Sequence, residues 1–274
     1  MNLECNNVPV KALVIGVSSD IGNALCEDWL SKSWELAGTY RTESDMVKRL
    51  SKRVGTLVQC DLENSYSVDT ACANLMKAMS FWDVLVLGPG LQEPVELFHQ
   101  CNFDEWEMSV KVNFTNQLRV LHRLLANRAL TSLCGPTVLF FAGGGVNSAP
   151  VHYSAYTVSK IAVVKMIELL AAELPEVKFL IVGPGWVKTK IHNSILDAGE
   201  LAGVGYNQTL QMFKNGAFTP MEKVVSCCNT LISGSREILT GRNFSVAFDK
   251  WEDPHFADLL EKEPDMYKLR RFGN

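Results

Sequence analysis

Apolar residues along this chain fall into short blocks, separated by longer stretches in which apolar positions recur with a helical period. The short blocks are Lys11–Val17, Trp34–Tyr40, Thr56–Cys60, Asp83–Leu87, Thr137–Ala142 and Val177–Val182, with Phe244–Phe248 a seventh candidate. Their length and their content of Val, Leu, Ile and Phe predict β-strands. Ile21–Ser31, Ser44–Lys52, Ser65–Ser80, Phe103–Arg128 and Tyr153–Leu174 read as helices; Ser65–Ser80 puts Val68, Cys72, Leu75, Met76 and Met79 on one side. Strands apolar on both faces and alternating with helices predict an α/β fold. The expected form is a doubly wound parallel sheet of about seven strands, with helices on both faces and right-handed crossovers. Ligands of such sheets lie beyond the carboxyl ends of the strands.

Length and composition narrow this. A chain of 274 residues, 47% of them hydrophobic, is expected to form one domain, 1–274, with a large core. Net charge is −4, and the basic residues are scattered apart from Lys268, Arg270 and Arg271, so a nucleic-acid partner is not expected. No apolar run has the length of a membrane span, and the opening residues, with Glu4, Asn6 and Asn7, lack a signal-peptide core. The expected location is the cytoplasm, with no membrane partner. Eight cysteines without a Cys-x-x-Cys and five dispersed histidines predict neither a redox pair nor a metal site.

Two places carry chemistry. The first strand runs into Gly16-Val17-Ser18-Ser19-Asp20-Ile21-Gly22 and then a helix. Glycines there allow close backbone approach to a diphosphate, and the helix start offers unpaired N–H groups and the positive end of its dipole. The plainer reading is an ordinary strand–helix turn with Asp20 as N-cap. Further on, Tyr156-Thr157-Val158-Ser159-Lys160 puts a phenol and an ammonium on one helix face. A nearby cation lowers a phenol's pKa and readies it to exchange a proton with a substrate oxygen. An ordinary surface helix would carry the same pair.

Gly16…Gly22, Tyr156…Lys160 and Pro184-Gly185-Trp186-Val187-Lys188-Thr189 stand in this order over about residues 10–248. Together they resemble the short-chain dehydrogenase/reductase superfamily. The resemblance implies a Rossmann-type domain that binds a nicotinamide cofactor, in a homodimer or homotetramer. The cofactor would meet Gly16, Ser18, Ser19, Asp20, Ile21 and Gly22, with Asp20 where the family usually has a glycine. Asp61 and Leu62 would contact the adenine. Gly88 and Gly90 would leave room for ribose, although Gly88-Pro89-Gly90 stands where the family has Asn-x-Ala-Gly. Pro184, Gly185 and Val187 would turn the chain beneath the nicotinamide, and Thr189 would bond its carboxamide. The second strand ends in Thr39-Tyr40-Arg41 without an acid, and Arg41 can pair with a 2′-phosphate, so NADP(H) is expected over NAD(H).

By the same resemblance Tyr156 is the general acid/base, Lys160 lowers its pKa and bonds the nicotinamide ribose, and Asn113 holds a water in a proton relay. The family's fourth member, a serine after the fifth strand, is missing; Ala142 or Gly143 stands there, at the head of Gly143-Gly144-Gly145. Ser148 is the first candidate to replace it, ahead of His152, Tyr153 and the glycine N–H groups. Residues 189–218 would form a substrate lid. An extension, 249–274, with Trp251, Phe256, Tyr267 and Phe272, would cover a neighbouring subunit or close the pocket. The activity implied is hydride transfer between nicotinamide and a small carbonyl/alcohol substrate, Tyr156 exchanging the proton. The alternative, which the missing serine supports, is a catalytically impaired cofactor-binding or redox-sensing regulator.

Overall fold

The computed structural model describes residues 9–130 and 135–271. Seven parallel strands form one sheet in the order β3-β2-β1-β4-β5-β6-β7: β1 Lys11–Ile15, β2 Glu35–Tyr40, β3 Thr56–Gln59, β4 Val84–Leu87, β5 Thr137–Phe141, β6 Lys178–Gly183 and β7 Arg242–Ser245. The helices in chain order are α1 Asp20–Ser31, α2 Asp45–Leu50, α3 Ser65–Ala78, α4 Phe103–Val110, α5 Asn116–Leu124, α6 Ser154–Glu173, α7 Asn193–Ala198, α8 Val204–Asn215, α9 Met221–Ser233, α10 Arg236–Leu239 and α11 Phe256–Lys262.

The strands' alternation builds two cores. Ala12, Val14, Val84, Val86, Leu139, Phe141, Leu180 and Val182 face one side, where Trp29 of α1 and Val224, Cys228 and Leu231 of α9 cover them. Their neighbours Leu13, Ile15, Leu85, Leu87, Val138, Phe140, Phe179 and Ile181 face the other, beneath α3, α5 and α6. Successive strand side chains point to opposite faces, so a strand buried on both must be apolar throughout, as Val84–Leu87 is. The strand order reverses between β1 and β4. The crevice this opens at the carboxyl edge is where the glycine turn lies.

Three expectations need correction. The stretch read as one helix, Phe103–Arg128, is interrupted by a wide π turn at Lys111–Thr115 before α5 resumes. Such π turns gather at functional sites. The last strand is Arg242–Ser245 rather than Phe244–Phe248: the Asp249 carboxylate accepts the Ser245 N–H at 2.7 Å and bends the chain away, leaving Phe248 89% exposed. Aromatic residues of the extension, expected to cover a neighbouring subunit or close the pocket, are built into this chain's own core. Trp251 and Phe256 are buried, and the rings of Phe244, Phe256 and Tyr267 pack together. The buried Arg242 guanidinium donates to the carbonyls of Ile238, Leu260, Glu263 and Met266, which ties this segment to β7. Phe272 lies outside the described residues.

Candidate active site

Gly16 ends β1 with φ +84, a conformation that favours glycine, and a Cβ there would stand 2.9 Å from the Pro89 ring. The N–H groups of Gly16 and Val17 both reach the Thr39 carbonyl, at 3.1 and 2.8 Å. Ser19, not Asp20, is the N-cap of α1: its hydroxyl accepts the Gly22 N–H at 3.0 Å. Gly22 closes on the turn so tightly that a Cβ would lie 2.4 Å from the Gly16 oxygen. Backbone N–H groups and the start of α1 therefore face the crevice, with Ser18 and Ile21 partly buried beside them. Asp20 is engaged elsewhere. Its carboxylate accepts the Lys190 N–H at 2.8 Å and joins the turn to the segment after β6.

Arg41 leaves β2 exposed, 3.7 Å from the Glu63 carboxylate. Asp61, after β3, accepts the Glu63 N–H at 3.0 Å, and buried Leu62 gives its carbonyl to Asn116 Nδ2 at 2.6 Å. Gly88 joins β1 through its N–H to the Ile15 carbonyl at 3.1 Å, so backbone alone ties the strands that an asparagine would otherwise tie.

The residues expected to transfer the proton lie beyond β4 and β5. Asn113 sits in the π turn, wholly buried. Its Oδ1 accepts the Leu91 N–H at 2.8 Å, and its Nδ2 donates to the Leu91 carbonyl at 2.6 Å and to Ser109 Oγ at 3.2 Å. Lys160 donates to the Phe141 carbonyl at 3.0 Å, with Nζ 5.8 Å from the Tyr156 ring centroid. A Cβ built on Gly90 would stand 3.9 Å from both Asn113 Oδ1 and Lys160 Nζ. Gly90 therefore roofs a corner in which an amide and an ammonium meet.

Burial sets the ionisation here. It pushes the Tyr156 phenol up to about 12 and brings Lys160 down to about 8. Burial outweighs any lowering of the phenol's pKa by Lys160 here, because the ammonium is itself desolvated and directed at the Phe141 carbonyl. At neutral pH the phenol is protonated and the amine largely charged, a donor beside a cation.

The remaining residues sit as follows. Gly185, φ +75, follows Pro184 and turns the chain against Thr219; buried Val187 and then Thr189 follow, ahead of the short turn Lys190–His192. Ser148 is exposed, its N–H on the Gly145 carbonyl at 3.5 Å. Gly143 is the residue brought against the phenol: a Cβ there would lie 2.5 Å from Tyr156 Cε1 and 2.7 Å from its hydroxyl. Ile191 Cδ1 reaches the Gly90 corner, 3.5 Å from that glycine's would-be Cβ.

The sequence reading passed over His192. Its ring stacks on Trp186 at 5.2 Å, bonds the Val187 carbonyl through Nε2 at 2.8 Å and touches Phe213 and Phe218. It thereby braces the segment carrying Val187 and Thr189, while burial pushes its pKa down. Its one visible signal was a histidine among aromatics just past Thr189. Ser109, four residues before Asn113, was legible by helical spacing.

A dinucleotide suits this set. The glycine turn and the start of α1 suit a diphosphate, Lys160 and Asn113 beside Gly90 suit ribose hydroxyls, and Arg41 suits a further phosphate. The Asp20 carboxylate and Ile191 are the two groups that stand within that set and oppose it.

Residues 10–200 match the family model described as short chain dehydrogenase. The chain is 22% identical over 242 residues to a 3-oxoacyl-(acyl-carrier-protein) reductase of Salmonella typhimurium, covering 86% of this chain and 94% of that protein. Among solved structures it resembles a short-chain dehydrogenase/reductase of Saccharomyces cerevisiae, YIR035C, with TM-score 0.76, 22% identity and coverage of 91% and 98%. It also resembles BdcA, solved in complex with NADPH, with TM-score 0.69, 19% identity and coverage of 86% and 92%.

Proposed function

The chain belongs to the short-chain dehydrogenase family, and from that premise we propose that it is an NADP(H)-dependent oxidoreductase acting on a small carbonyl or alcohol substrate. The nicotinamide supplies the hydride chemistry. In the reductive direction Tyr156 gives its proton to the substrate oxygen. The phenolate left behind is stabilised by the Lys160 ammonium, whose second contact, the Phe141 carbonyl, keeps it in place. Asn113, locked between Leu91 and Ser109, holds the π turn open beside that ammonium. The observation that carries this reading is that Asn113 Oδ1 and Lys160 Nζ both border Gly90, with Lys160 Nζ 5.8 Å from the ring of a protonated phenol.

Arg41 favours NADP(H): with no acid at the end of β2, its guanidinium is free to leave Glu63 for a 2′-phosphate. A neighbour of the same fold was solved with NADPH, which agrees. A homodimer or homotetramer is favoured by α6, whose Val158 and Leu169 are each 47% exposed on a helix apolar around its circumference. No helix among the described residues is long and apolar enough to cross a membrane. Gly143 favours the second reading, a cofactor-binding regulator, since no serine side chain stands beside the phenol.

NADPH consumption with a panel of ketones separates the two. Turnover that Tyr156→Phe abolishes supports the enzyme; NADPH binding without turnover of any ketone supports the regulator. Tighter binding of NADH than NADPH would overturn the cofactor assignment.

A further inference from the structure

Four buried side-chain polar atoms among the described residues lack a hydrogen-bond partner: Tyr153 Oη, Thr157 Oγ1, His192 Nδ1 and Asn243 Oδ1. Such groups are few in folded proteins, and each calls for an explanation. Tyr153 is the one that lies three residues before Tyr156 and packs on the segment after β6. It immediately precedes α6, and its carbonyl accepts the Thr157 N–H at 2.8 Å, so its side chain leaves from the same helix end as Tyr156. The phenol packs on the cluster formed by Val95 after β4 with Ile195 and Ala202 of the segment after β6. Its hydroxyl ends against Gly205 of α8, where a Cβ would lie 2.4 Å away. A phenylalanine would fill the same space and leave no hydroxyl stranded. Nothing in the cofactor-free packing uses that oxygen.

Gly143 supplies the second observation. It contributes no donor, and the space its side chain would need holds the tip of Tyr156. Ser148 is exposed in its turn. A carbonyl oxygen that receives a proton from Tyr156 gains from a second hydrogen-bond donor as negative charge develops on it. Two unpartnered hydroxyls lie at this end of α6, Tyr153 Oη and Thr157 Oγ1, and Thr157 packs its methyl group against Gly145. We propose that Tyr153 is a substrate-contacting residue, whose hydroxyl donates a hydrogen bond to the reacting carbonyl oxygen beside Tyr156 once α8 shifts off it. Tyr153 keeps its proton throughout; the proton transferred is that of Tyr156, and burial, which raises the Tyr153 pKa, keeps the second phenol neutral. This deepens the oxidoreductase reading and rests on it.

The test compares wild type, Tyr156→Phe and Tyr153→Phe with NADPH and three ketones: ethyl acetoacetate, acetoacetyl-coenzyme A and a keto sugar. Melting of the ligand-free proteins and NADPH affinity by fluorescence are read alongside. For Tyr153→Phe the expected result is a kcat lower by roughly 10²–10³-fold. KM should stay within about threefold, since a contact made in the transition state is lost from kcat and not from KM. NADPH affinity should be unchanged and the ligand-free Tm equal or higher, because the stranded hydroxyl is gone. A wild-type kcat in Tyr153→Phe, alongside a dead Tyr156→Phe, would sink this proposal and spare its parent. A raised KM with unchanged kcat would also refute it, since the hydroxyl would then bind substrate away from the reacting oxygen. A lower Tm with lost NADPH affinity would make Tyr153 structural. No turnover of any ketone by wild type would bring down both readings.

Discussion

Restoring the serine that the family carries is the obvious way to raise this protein's activity, and the structure predicts the opposite outcome. In Gly143→Ser the new Cβ would lie 2.5 Å from Tyr156 Cε1 and 2.7 Å from both Cζ and the hydroxyl. Carbon atoms in contact sit about 3.5–4.0 Å apart, so the phenol tip must retreat by roughly 1 Å. The ring is only partly buried and a side chain at Gly144 would meet open space, so the tip has somewhere to go. The fold should therefore lose only about 1 kcal/mol, the low end of overpacking costs, with Tm falling by roughly 2–4 °C. Catalysis bears the larger loss, because a displacement of about 1 Å in a positioned group costs on the order of 10²-fold. The hydroxyl cannot recover this, since its benefit requires the phenol it has displaced. Steady-state NADPH oxidation should show Gly143→Ser and Gly143→Ala falling together, each by about 10²-fold. A Gly143→Ser variant faster than wild type would refute the steric account and show that the phenol tolerates a neighbour at that position.

Three further outcomes follow from the structure. Lys160 has a folded pKa of about 8 against an ordinary 10.5, so between those values the unfolded chain holds a proton that the folded one does not. Stability therefore rises with pH across that window, by about 1 kcal/mol from pH 7 to pH 9; urea unfolding should show this gain in wild type and lose it in Lys160→Met. The sign reverses above pH ~10, where Tyr156, held at about 12, stays protonated in the fold alone. Arg242→Ala strands the carbonyls of Ile238, Leu260, Glu263 and Met266, and should cost on the order of 3 kcal/mol. Proteolysis within 256–271 should then precede global unfolding, and a variant as resistant as wild type would remove the clamp from the account. Asp20→Gly frees the Lys190 N–H and removes a carboxylate from the glycine turn; stopped-flow should show faster NADPH association, and an unchanged rate would mean that the Asp20 contact does not guard entry.

Much of this protein is decided one-dimensionally. Val84–Leu87 has no polar position to turn towards water, so it must lie between two helical layers, and the alternation of such blocks with helices leaves a parallel sheet as the solution. The glycine turn was legible because only glycine takes φ +84 against Pro89 and only hydrogen fits at Gly22. The pairing of Tyr156 with Lys160 follows from helical spacing. What spacing cannot carry is the ionisation of that pair, because desolvation depends on everything packed around it. Nor can it carry contacts across large sequence separations: Asp20 with Lys190, Arg242 with the final segment, Gly143 with the phenol and Tyr153 with Gly205. The π turn at Asn113 escaped because its amide is held by Leu91, 22 residues away in sequence and beyond the reach of helical periodicity. Secondary structure is written in short-range periodicity, whereas the site is set by which distant groups exclude water from one another, and that is settled only when the chain is packed.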